Sequence, residues 1–283
     1  MGRFTLQARG ILDVEHLMQV LQVHSLPIQE ELDVPQRSVT RLVQVDGVHC
    51  KTRLTFLPKG IDVDAEALAS VQPRLSGVLD QWLGLAQPGF PSLQRLALDP
   101  LLGPVATRFP HLRLIGYPDF FEALMTAILG QQISTRAART LSRRYTGALG
   151  RPHPCGLTAF PDAATTAAAG PGRLAEIIGC PASRALTMHR VADWFINEHP
   201  LLGGDRQEIR RSLLRIKGVG PWTADYVALR GLRDPTIFLG SDLVVRRGLE
   251  RLGYSRNPKN LDWGRDNSMA TVLLWRFAHT LNP

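Results

Sequence analysis

The sequence predicts a mostly helical protein with an N-terminal α+β domain containing an antiparallel sheet, and three observations carry that expectation. Near the N-terminus, β-branched residues alternate or cluster through "FTLQA" and "SVTRLVQVDGVHCKTRLTF", the two-residue period of strands. From Phe120 onward this pattern gives way to apolar residues at helical spacing, as in "FEALMTAILGQQISTRAARTLSRRY" and "SRALTMHRVADWFINE". A chain of 283 residues is also long enough for more than one packed unit.

Taken in order, the elements justify the division. Residues 1 to about 96 form the α+β part. Within it, Asp46-Gly47 is a two-residue hairpin signal, because both residues tolerate the left-handed backbone that such turns require. One helix is expected over residues 13 to 23, and a second from about 64 to 85 that Pro73 interrupts or starts. After Gln87 the segments "PGFPSL", "LDPLLGP" and "IGYPDF" mark linkers and short helices by their Pro and Gly content. Further on, "GRLAEIIG", "RQEIRRSLLRI", "DLVVRRGLERLG" and "MATVLLWRFAHTL" continue the helical bundle, while "DAATTAAAG" reads as a loop leading into a short helix.

Composition narrows the function. Hydrophobic residues make up 44% of the chain and charged residues 20%, as in an ordinary soluble globular protein. The excess of 33 Lys and Arg over 25 Asp and Glu leaves a net charge of +8 and favours an anionic partner such as nucleic acid. Cys50, Cys155 and Cys180 are distant from one another and odd in number, so neither a disulfide framework nor a four-thiolate cluster is indicated. The eight histidines are scattered, without the pairing of a helical zinc site, and no metal or cofactor is expected. The opening "MGRFTLQARGILDVEHLMQV" lacks the build of a signal peptide, and no apolar run suits a bilayer. A cytoplasmic protein without membrane contact is therefore expected.

The segment "RIKGVGPWTADYVALR" carries the sharpest chemistry. Gly218 and Gly220 permit backbone angles that side chains block, so successive NH groups can form a concave donor surface. Pro221 suits the first turn of the following helix, whose free NH groups favour an anion. Thr223 adds a hydroxyl and Lys217 a charge, a set that fits a DNA backbone phosphate. Trp222 and Tyr226, four residues apart, share one side of that helix. Either they are core, or they form an aromatic wall that attracts a cationic ring.

Three blocks in order, "AILGQQIS", "IKGVGPWTADYVALRGL" and "IFLGSDLVVRRGL", resemble the AlkA-type 3-methyladenine DNA glycosylases of the helix-hairpin-helix superfamily, over most of residues 112 to 275. The resemblance implies a helix-hairpin-helix bundle of two helical subdomains. Residues 120–234 would carry the hairpin, and residues 97–119 with 235–283 would carry a catalytic Asp, here Asp242. It implies a monomer that flips a damaged base out of double-stranded DNA, holds it against Trp222 and Tyr226, and releases it by hydrolysis. A residue intercalates in place of the base in this family, which points to Gln132 following Gln131. Superfamily members that also cleave the strand would have a Lys at the position of Trp222, so a monofunctional enzyme is implied.

A carboxylate at Asp242 suits the chemistry, since breaking the bond between base and sugar develops positive charge on the sugar. The same residue also suits a helix terminus, with Ser241 as the cap and Asp242 in the first turn. One departure from the family stands out: Asp266 and Asn267 lie where an aromatic residue and Arg would close the pocket, and Trp263 is out of register. Two other readings stand beside the first, a glycosylase for deaminated or oxidised bases and a helix-hairpin-helix module that binds DNA without catalysis.

Overall fold

The computed structural model describes residues 2–66, 69–87, 89–198 and 204–280; the end of the predicted C-terminal subdomain, residues 281–283, lies outside them. The N-terminal part is a five-stranded antiparallel sheet in the order β1-β5-β4-β3-β2. Its strands are β1 (Gly2–Gln7), β2 (Glu30–Asp33), β3 (Ser38–Val45), β4 (Val48–Leu57) and β5 (Gly60–Ala65). The β3–β4 hairpin closes at Asp46 and Gly47 with φ of 52° and 78°, the pair of left-handed residues that its sequence predicts.

Helices α1 (Val14–His24) and α2 (Gln72–Leu83) cover one face of this sheet. Leu17, Leu21, Leu75, Leu79 and Trp82 bury against Val39, Val43, Leu54, Phe56, Ile61 and Val63. Asp13 caps α1 by accepting from the His16 amide at 2.9 Å, as its residue type favours. The second predicted helix is shorter than expected. Residues 60–65 pair as β5, where alternation prevails, and α2 begins only beside Pro73.

The remainder is helical apart from the two-residue strands β6 (Arg151–Pro152) and β7 (Thr158–Ala159). It comprises α3 (Phe90–Leu96), α4 (Gly103–Arg108), α5 (Phe120–Leu129), α6 (Thr135–Leu149), α7 (Ala163–Ile178), α8 (Ala182–Glu198), α9 (Arg206–Arg215), α10 (Pro221–Arg230), α11 (Leu243–Arg251) and α12 (Asn267–His279). One core runs through all of them, from Leu93 of α3 to Leu274 of α12. The stretch "DAATTAAAG" is helical instead of a loop: Asp162 caps it through the Thr165 amide, and the break comes only at Gly170 (φ 69°) before Pro171.

Buried arginines join the two parts. Arg41 of β3 reaches Glu30 at 3.1 Å and Glu122 of α5 at 2.8 Å, all three side chains being buried. Arg113 donates to the carbonyls of Gly84 and Leu85, and Arg233 to that of Gln81. Such contacts leave a large penalty if one partner is lost, so they fix how the sheet domain sits on the bundle.

Candidate active site

The hairpin of residues 216–220 joins α9 to α10. Gly218 has φ of 105°, and a Cβ there would collide with Oγ1, Cβ and Cγ2 of Thr187 on α8. Gly220 differs: its φ is −90° and nothing lies within 4 Å of where a Cβ would stand. Only Gly218 therefore uses the left-handed freedom expected of both glycines, whereas Gly220 leaves the backbone approachable from outside. Pro221 opens α10, and no side chain caps its first turn, so its NH groups remain available to an anion. Lys217 is exposed, and its carbonyl accepts from Arg190 at 3.3 Å. Thr223, expected to offer its hydroxyl outward, is buried and accepts from Gln131 Nε2 at 2.9 Å.

That same Gln131 amide also donates to the Gly218 carbonyl at 3.1 Å, and Arg184 donates to the Gln131 carbonyl at 2.5 Å. Gln131 is thus a brace between the α5–α6 turn and the hairpin, and its side chain is committed inward rather than to intercalation. Gln132 next to it is exposed and held at φ 58°, a conformation uncommon for a residue with a side chain. The brace and the cap at Ser134, which accepts from the Ala137 amide at 3.3 Å, confine the turn that presents it.

Asp242 itself, not Ser241, caps α11. Its Oδ1 accepts from the amides of Val244 at 2.9 Å and Val245 at 3.1 Å and from Trp275 Nε1 at 3.0 Å. Its Oδ2 accepts from Trp222 Nε1 at 3.1 Å. Three donors engage one oxygen and a single donor the other, so Oδ2 keeps more accepting capacity for a further ligand. Trp222 stacks on Tyr226 with centroids 5.2 Å apart, and Tyr226 lies 6.1 Å from Trp275. The hydroxyls of Tyr226 and Tyr117 are 3.4 Å apart. Burial, then the neighbouring Tyr226, pushes the Tyr117 phenol well above its ordinary range, so it stays a neutral hydroxyl.

A third aromatic side chain at Asp242 is therefore Trp275, which sequence reasoning missed. Asp266 and Asn267 do not face this site. Asp266 is buried and paired with Arg95 through two hydrogen bonds of 2.7 and 2.6 Å. Asn267 accepts from the Trp263 amide and donates to Thr236 and Asp262. Trp263 donates to Asp99 and packs edge-on against Phe238. Together they build the approach to α12 and so fix the register that brings Trp275 to Asp242.

Among the described residues, no group of three or more His, Cys, Asp or Glu is placed to hold a metal ion, and no helix is long and apolar enough to cross a membrane. All three cysteines are free.

No protein-family model matches the chain. A probable bifunctional transcriptional activator and DNA repair enzyme, AlkA, of Mycobacterium tuberculosis is 35% identical over 194 residues, covering 65% of this chain and 38% of that protein. A DNA-3-methyladenine glycosylase of Bacillus subtilis is 30% identical over 212 residues, covering 70% of each. In structure, a 3-methyladenine DNA glycosylase from Archaeoglobus fulgidus superposes over 100% of this chain and 99% of that one, with a TM-score of 0.85 at 22% identity. That likeness establishes the fold.

Proposed function

The chain belongs to the family of 3-methyladenine DNA glycosylases, and on that premise we propose that it is a monofunctional DNA glycosylase that flips alkylated bases from double-stranded DNA and excises them by hydrolysis. The observation that carries this reading is the Asp242 carboxylate held between two indoles, with Trp222 on one oxygen and Trp275 on the other. A carboxylate beside the sugar stabilises the positive charge that develops as the base departs, and its less occupied oxygen, Oδ2, can orient the attacking water. The aromatic faces of Trp222, Tyr226 and Trp275 suit an alkylated purine ring, whose formal positive charge is attracted to them.

The other parts serve approach and exchange. The open backbone at Gly220 and the uncapped first turn of α10 suit a phosphate, which positions without reading sequence. Gln132, exposed at the tip of its turn, fills the gap that the flipped base leaves and can hydrogen-bond the orphaned partner. The α10 side chain that faces the carboxylate is an indole, with no amine to form a Schiff base, which supports hydrolysis without strand cleavage.

The test is base release from alkylated duplex DNA. Asp242→Asn is expected to abolish release of 3-methyladenine while leaving duplex binding within a few fold of wild type. Turnover retained by that variant overturns the assignment of Asp242. Borohydride is expected to trap no covalent protein–DNA adduct, and a robust adduct refutes the monofunctional reading.

A further inference from the structure

Arg230 ends the stripe that begins at the aromatic site. Trp222, Tyr226 and Arg230 follow one another at four-residue intervals on α10, so their side chains lie along the same side of the helix. The Arg230 guanidinium stands over the Tyr117 ring, 5.4 Å from its centroid, and Tyr117 meets Tyr226 hydroxyl to hydroxyl. The cation thus sits one ring behind the wall of the proposed base pocket.

Its pairing is unlike that of the other buried arginines. Arg41 has two carboxylates, Arg113 and Arg233 have backbone carbonyls, and Arg276 has Gln19 and Glu15. Arg230 is only 5% exposed, its Nε has no acceptor, and its guanidinium forms no ion pair or hydrogen bond with any described residue. A buried unpaired charge is costly unless something else completes its environment. Beyond the Tyr117 ring, no carboxylate of the described residues forms an ion pair with Arg230, and His16 and His24 of α1 are held neutral, with pKa values pushed down to about 3 by burial first and then by surrounding cations, Arg230 among them. From the other sides it is faced by Arg276 of α12, itself paired with Glu15, by Arg139 of α6, and by His279, whose own pKa is pushed down by burial and then by Arg276.

We propose that Arg230 is a specificity-determining residue whose unpaired charge, acting from behind the aromatic wall, favours release of bases that depart as anions. The proposal rests on the glycosylase reading above. In that reaction the bond between C1′ and the base nitrogen breaks, its electron pair stays on the base, and a water oxygen bonds to C1′ and gives up a proton. A base with a formal positive charge leaves neutral and gains nothing from a nearby cation. An uncharged base leaves as an anion, takes its proton from solvent afterwards, and is stabilised while it departs. The aromatic face thus serves cationic bases and Arg230 serves uncharged ones, so one pocket accepts both classes.

The test compares single-turnover release, at saturating protein, from duplexes containing hypoxanthine (uncharged) or 7-methylguanine (cationic). Arg230→Met is expected to slow hypoxanthine release about 10-fold to 30-fold more than 7-methylguanine release, the effect of one unit charge acting across a partly screened distance. Arg230→Lys, which keeps the charge, should hold the ratio of the two rates within about threefold of wild type. Equal slowing on both bases, or an unchanged ratio, overturns the proposal and leaves Arg230 a structural residue. Should Arg230→Met not fold, Arg230→Gln carries the same comparison. The wild type provides a further arm: release of 7-methylguanine with none of hypoxanthine also overturns the proposal, while release of neither base fails the glycosylase reading itself.

Discussion

The two hairpin glycines give a sharp test, because their surroundings are opposite. Substituting Gly218 by Ala places a side chain at φ 105° and drives its Cβ into Thr187. The backbone conformation costs about 1–2 kcal/mol, and displacing the tightly packed Thr187 adds about 1–3 kcal/mol. At roughly 2–4 °C per kcal/mol for a protein of this size class, the melting temperature should fall by about 4–20 °C. Thr187→Ala in the same chain should recover part of that loss, since it removes Oγ1 and Cγ2 but not Cβ or the backbone cost. Gly220→Ala meets nothing within 4 Å and should shift the melting temperature by no more than about 2 °C. Its methyl group nevertheless stands where a phosphate would approach the backbone, so duplex affinity should fall about tenfold. Calorimetry on both variants and fluorescence anisotropy with a short duplex measure the two effects. Equal destabilisation by both substitutions, or a Gly218→Ala protein that melts like wild type, refutes the reasoning.

Other outcomes follow from the same geometry. Trp275→Phe keeps an aromatic face, though a smaller one, but removes the indole donor to Asp242 Oδ1, so base release should slow about tenfold or more with little change in duplex binding; unchanged release would show that the two amides and Trp222 suffice. Gln132→Ala should weaken binding to damaged duplex while leaving the melting temperature near wild type, whereas Gln131→Ala, which loses two hydrogen bonds to the hairpin, should lower it by about 2–6 °C. The reverse pattern would mean that the brace and the wedge have been exchanged. Acid should destabilise the fold through His16, which is buried and held near pKa 3 against an ordinary 6.5. Between those values the unfolded chain takes up a proton that the folded one refuses, so stability falls as pH drops below 6.5, by about 1.4 kcal/mol per unit. His24 acts in the same direction, while Glu30 and Asp119, whose carboxyls are raised by burial, act in the opposite direction as they take up protons in the folded state. His16→Leu should make the melting temperature fall less between pH 6.5 and 5, and a slope equal to that of wild type would refute the assignment.

Much of the site was legible because its signals are local. Asp46-Gly47, the glycine spacing at 218 and 220, Pro221 after the turn, and the four-residue interval from Trp222 to Tyr226 each depend on backbone geometry within a few residues. Asp242 is reached through the family resemblance that "IFLGSDLVVRRGL" carries, and the choice between it and Ser241 as cap turns on which side chain points back at the helix amides. The brace formed by Gln131 was hidden because adjacent glutamines look alike until the left-handed backbone at Gln132 sends them in different directions. Trp275 was invisible for another reason: its contact with Asp242 depends on how α12 folds back beside α11, a relation to which Arg95, far back in the chain, contributes by holding Asp266 at the start of α12. The unpartnered state of Arg230 belongs to this second kind, since a missing partner is a property of the whole fold.

Gln131 also bears on timing. Its amide spans the α5–α6 turn and the hairpin, so the turn cannot retract alone without breaking two hydrogen bonds. A protein that read DNA by alternately lowering and lifting a probe would need those parts to slide past each other. Under the roles proposed above for Gln132 and the hairpin, the probe and the anchor share one clock: each time the hairpin settles on a backbone, Gln132 arrives at the stack with it. The interval between inspections is then set by how long the protein stays on each stretch of duplex, and salt, which shortens that stay, becomes the control on how many base pairs are tried per encounter.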